Sequence, residues 1–76
     1  MNSIQLPFLI TVEDYHEFAH LEKMFSSVDK DIRVCEVGFS DEYKYIGVVY
    51  NVKSVPSEND IDLLMIKQDI HFDETE

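Results

Sequence analysis

The stretch Ile4 to Val12 reads IQLPFLITV, with β-rich residues on both parities, and predicts a strand. Pro7 has no N–H to give to a ladder, so that strand belongs at a sheet edge or carries a bulge. Thr11 and Asp14 then stand in the spacing of a capping box and announce a helix. From Glu13 to about Val28 the apolar positions are Tyr15, Phe18, Leu21, Met24, Phe25 and Val28. Their steps of three and four draw one stripe along a helix and leave Glu13, Glu17, His20 and Lys23 in water.

SVDKD ends that pattern, and two β-rich runs follow, Ile32 to Phe39 and Tyr43 to Val52, joined by the short polar link SDE. They predict a hairpin. The apolar parity of the first run switches between Val34 and Cys35, which points to a bulge near there. In the second, Ile46, Val48, Tyr50 and Val52 share one face, and Tyr43, Tyr45 and Val49 share the other with Gly47 between them. SVPSEND reads as a loop, with Ser57 and Asp60 repeating the capping-box spacing. Ile61, Leu64, Met65 and Gln68 then give a helical stripe; Leu63 and Ile66 widen it, so IDLLMI is open to a strand reading as well. IHF at 70–72 is a candidate short last strand.

The fold class expected is α+β, in the order β-α-β-β-α with a short final strand as an option. The sheet is small and mostly antiparallel, and the helices pack on one face. With the last strand included, the order resembles the ferredoxin-like pattern in topology, which implies no function. Residues 1–72 are expected to form a single compact domain and 73–76 an acidic C-terminal tail.

Seventy-six residues give one modest core. The first thirteen residues carry no Lys or Arg, so no signal-peptide n-region is expected. The longest apolar runs, such as IGVVY and LLMI, fall far short of a membrane span. Cys35 is the lone cysteine and has no internal partner for a disulfide. A cytoplasmic setting fits these features, with Cys35 a small buried hydrophobe in its strand.

His16-Glu17-Phe18-Ala19-His20 spells the H-E-x-x-H signature of zinc hydrolases, in which two imidazoles on one helical face share a metal and the glutamate polarises a bound water. The segment that follows, LEKMF, offers no third ligand at a supporting spacing. The apolar stripe also turns Phe18 inward, which aims both histidines sideways or outward. The expectation is therefore two surface histidines, with no catalytic residues, no metal and no cofactor; a minimal zinc hydrolase built on His16, Glu17 and His20 is the remote alternative. The only glycines are Gly38 and Gly47, so glycine-rich phosphate loops are excluded. The acidic segments lack the alternation and central glycine of a calcium loop.

Charge changes the picture most. Sixteen acids against six bases give a formal net charge of −10. The last nineteen residues alone hold seven acids against Lys67. Helix dipoles and solubility account for part of this surplus, but not for so unbalanced a tail. Such a surface disfavours direct binding of nucleic acid or anionic membrane and favours a cationic protein surface. The expected function is a small inhibitor or regulator that engages the basic surface of a protein, above all a nucleic-acid-binding enzyme, by presenting carboxylates where that enzyme expects phosphates. The expected contact residues are Glu13, Asp14, Glu17, Asp41, Glu42, Glu58, Asp60, Asp62, Asp69, Asp73 and Glu74, with Tyr43 and Tyr45 as aromatic anchors. In size, charge and lack of motifs the chain looks like the orphan anti-defence inhibitors of phages and mobile elements. That likeness is one of character and rests on no motif. The alternative is a structural module that forms a homodimer through the second hairpin face or the Pro7 edge.

Overall fold

The computed structural model describes residues 5–42 and 44–70. It contains strand β1 (Phe8–Val12), helix α1 (Glu17–Ser26), strands β2 (Ile32–Phe39) and β3 (Tyr45–Asn51), and helix α2 (Glu58–Lys67). The α+β class and the β-α-β-β-α order are those the sequence predicts. The three strands form one antiparallel sheet in the order β1-β3-β2, so β1 is an edge strand, one of the two arrangements expected of it, and β2 is the other edge. Pro7 itself precedes the strand, after a cis Leu6-Pro7 bond.

The helices occupy opposite faces of the sheet, not the single face expected. Along β3 the side chains alternate. Ile46 and Val48 join Leu9 and Met65 in one buried cluster, with Tyr50, Ile61, Leu64 and Ile70 packed around it. This is the α2 side. Tyr45, Gly47 and Val49 face the other way, and there Phe18 of α1 rests against Gly47 and Tyr45. The cause is legible in the strand itself. Ile46, Gly47, Val48 and Val49 are all buried, consecutively, and a run apolar on both parities needs a cover on both sides. Three layers result, with β3 at the centre.

Helix α1 starts four residues later than Glu13. Thr11 is spent in β1, where it pairs with Ile46. In place of a capping box, Asp14 Oδ1 accepts from the His16 N–H at 3.0 Å, and the Asp14 carbonyl accepts from the Glu17 N–H at 2.9 Å, so a turn leads into the helix. At α2 the predicted box is complete. Ser57 Oγ accepts from the Asp60 N–H at 3.2 Å, and Asp60 Oδ2 accepts from the Ser57 N–H at 3.1 Å. With this cap in place, Ile61 to Ile66 is helix, which settles the open strand reading.

The β2–β3 hairpin carries a register shift between Glu36 and Gly38, two residues past the parity switch at Val34 and Cys35. Its loop hangs on Ser40, buried at the turn. The Ser40 hydroxyl accepts from the N–H groups of Glu42 and Lys44, and its own N–H donates to the Lys44 carbonyl at 2.7 Å. A second tie crosses layers: Glu22 Oε2 of α1 accepts from the Val34 N–H at 2.9 Å, on the edge strand β2. Ile70 is not part of a strand, and the rest of the candidate final strand, like the tail at 73–76, lies outside the described residues. Among the described residues no helix is long and apolar enough to cross a membrane.

Candidate acidic interface

The chain path brings separate acidic segments to one end of the molecule. Val12, the last residue of β1, pairs with Tyr45, the first of β3, and Phe39 at the end of β2 pairs with the same Tyr45. Glu13 and Asp14 therefore leave the sheet beside the hairpin tip that carries Asp41 and Glu42. Glu17 opens α1 at this same end, because Tyr15 and Phe18 both pack on Tyr45, with ring centroids 5.7 and 6.5 Å away. Helix α2 runs back along the other face and delivers Asp69 and Ile70 to the hairpin tip. There Thr11, Ser40, Asp41, Glu42, Asp69 and Ile70 line a depression of about 330 Å³.

Six of the predicted contact acids, Glu13, Asp14, Glu17, Asp41, Glu42 and Asp69, thus share one pole, and all six are exposed. Lys44 stands among them, half-buried. The opposite end, where Ile32 pairs with Asn51, is mixed in sign. It carries Lys23 in the last turn of α1, with Lys30, Arg33 and Lys53, alongside Asp29 and Asp31. Lys53 Nζ lies 3.4 Å from Asp31 Oδ2, a pair whose lysine is largely exposed and which is therefore worth little to stability. Four of the six bases are therefore held away from the acidic pole.

The remaining predicted contacts are not brought to this pole. Glu58 and Asp60 stand in the first turn of α2, where they favour the helix dipole. Asp62 lies on the flank of α2 near Val37 and Ile61. Tyr43, Asp73 and Glu74 lie outside the described residues. Tyr45 is half-buried at the centre of an aromatic cluster with Tyr15, Phe18 and Phe39, the last at 5.1 Å. Its ring serves the α1 layer, so the second hairpin face is a packed face. Tyr15, assigned by spacing to the buried stripe, is instead half-exposed above Tyr45 and is an accessible aromatic of this pole.

His16 stands at the N-cap of α1 and His20 lies one turn on; both are exposed. His16 borders a small recess with Tyr15, Phe18, Ala19, Glu22, Val34 and Glu36, and His20 is not part of it. Among the described residues no group of three His, Cys, Asp or Glu side chains stands close enough to hold a metal ion. Cys35 is free and exposed, where the sequence suggested burial. Its side chain points to the α2 face of β2, but at the edge, where α2 leaves it uncovered.

The fold and site define a small three-layer α+β protein with an acidic pole. No known family model, curated protein or solved structure matches the chain.

Proposed function

We propose that this chain is a small acidic binding protein without catalysis of its own, which docks by its acidic pole onto the basic surface of another protein and inhibits or regulates it. The partner favoured is a nucleic-acid-binding enzyme. A groove built for phosphates presents clustered Lys and Arg, and carboxylates arriving together on a rigid body occupy that groove and exclude the duplex. The observation that carries this reading is the convergence of six exposed acids from three chain segments at one end, with most bases at the other. A solubility role alone would be met by acids scattered evenly. The anti-defence character belongs to the same reading and rests on size and charge alone.

Such an encounter is fast, steered and steeply salt-dependent. The experiment is capture of proteins from a host lysate on the immobilised chain, eluted by rising salt, followed by competition with duplex DNA. The expected result is a basic protein released by moderate salt and displaced by the duplex. Captured proteins that are not basic, or that stay bound regardless of ionic strength, would end the proposal.

A further inference from the structure

Two large apolar side chains of α2, among charged neighbours, face away from the core. Leu63 and Ile66 are 56% and 76% exposed, and Val55, across a groove from Leu63, is 66% exposed. The groove has a volume of about 400 Å³ and runs between the Ser54–Pro56 loop with Pro7 on one side and α2 on the other. On the helix side it is lined by Asp60, Leu63, Leu64 and Lys67. These recur at steps of three and four and so form one stripe. The stripe has an acid at one end, a base at the other and leucine in the middle. Its formal charge is zero on a molecule of −10.

We propose that this face docks a second copy of the chain. The two α2 helices lie antiparallel across a two-fold axis near Leu63, so that Asp60 of each copy meets Lys67 of the other. A two-fold interface must be self-complementary, since the same patch serves both partners. Opposite charges seven residues apart, about 10.5 Å along a helix, with apolar side chains midway meet that condition. A strongly basic partner is drawn to the acidic pole, not to this neutral stripe, and an acidic surface without a matching pair of charges has nothing here to offset repulsion by the body around it. A copy of the chain fits because its own stripe cancels charge locally while burying Leu63, Ile66 and Val55.

The test is sedimentation velocity over a wide range of protein concentration at about 0.15 M and about 1 M sodium chloride, where screening lengths differ several-fold. The expected result is a monomer–dimer equilibrium that persists at high salt, because the contact is apolar and added salt screens the mutual repulsion. Capture of a basic partner weakens under the same change, so the two proposals fail independently. Leu63→Asp, at an exposed position, is expected to give a monomer with an unchanged circular dichroism spectrum. Lys67→Asp is expected to weaken the dimer about tenfold, since the substitution enters the interface twice. Adding Asp60→Lys to it is expected to restore the dimer. Asp60→Lys also removes the bond to the Ser57 N–H, a loss that cannot strengthen association, so recovery reports the pairing itself. A monomer at every concentration in both salts would overturn the proposal. So would a dimer indifferent to Leu63→Asp, or a double variant as weak as Lys67→Asp alone.

Discussion

The ring of Phe18 occupies the space where a Cβ on Gly47 would stand, with its Cε1 2.6 Å from that position and its Cδ1 and Cζ within 3.2 Å. Phe18 is the buried residue of α1, and Gly47 lies mid-way along the central strand. The glycine is therefore the seat on which the helix rests, and its missing side chain sets how closely α1 approaches the sheet.

Gly47→Ala tests this seat. Glycine inside a strand ordinarily costs about 0.5–1 kcal/mol relative to alanine, so in open space the change would stabilise. Here the methyl group overlaps a buried ring, and overpacking of that kind costs about 1–3 kcal/mol. The expected net effect is a lower Tm, by several degrees in a domain of this size. The loss should shrink when Phe18→Leu is introduced first. Calorimetry on the two single variants and the double reads both effects; a Gly47→Ala chain as stable as the wild type would remove the seat.

Ser57→Ala removes the acceptor for the Asp60 N–H and should cost about 1 kcal/mol. Ser57→Asp keeps an acceptor and should lose much less. Urea unfolding with an unchanged slope would show that the change acts on stability alone. Equal midpoints for the two variants would mean that the cap contributes nothing.

Glu22→Ala exposes the Val34 N–H, which the Glu22 carboxylate now occupies at 2.9 Å. About 1 kcal/mol of stability should be lost, and exchange of the Val34 amide hydrogen should accelerate. Glu22→Gln retains an acceptor oxygen and should stay near the wild type. Because β2 is an edge strand, the alanine variant should also aggregate sooner on agitation, since an unguarded edge is a template for pairing. Light scattering reads that outcome, and equal lag times for the three proteins would contradict it.

Asp41→Lys with Glu42→Lys reverses the charge at the hairpin tip. Release of a captured basic partner should then need markedly less salt, whereas reversing Lys53 at the opposite end should leave release unchanged. Identical elution for both variants would detach binding from the acidic pole.

Chelator treatment should leave the melting curve unchanged, because no trio of ligating side chains meets among the described residues. Metal that stabilises a fold raises its Tm on binding, so a drop after chelation would restore His16 and His20 as ligands.

Much of the fold was legible in the chain because its strongest patterns are local. The hairpin was announced by two β-rich runs around a short polar link, and α2 by the Ser57 and Asp60 spacing. Two features were not legible, and both depend on tertiary context. The start of α1 was misread because Thr11 fits a cap and a strand equally well, and pairing with Ile46 decides for the strand. The placement of both helices on one face was misread although YIGVVY carries the contrary signal: alternation identifies two faces, but only burial of both shows that each has its own helix. For the site, composition gave the charge but not its geography. That Asp69 stands beside Asp41 and Glu42 follows from α2 running back across the sheet, and no spacing in the sequence contains that information. Nor does spacing show that Tyr45 is taken up internally while Tyr15 stays half-exposed.

Separation of charge between the hairpin end and the end where Ile32 pairs with Asn51 has a consequence for motion. A particle with surplus negative charge at one tip and most of its cations at the other feels a torque, and not just a pull, near any cationic surface. Tumbling is biased before first touch, so the hairpin end leads, and fewer collisions are wasted on the wrong orientation.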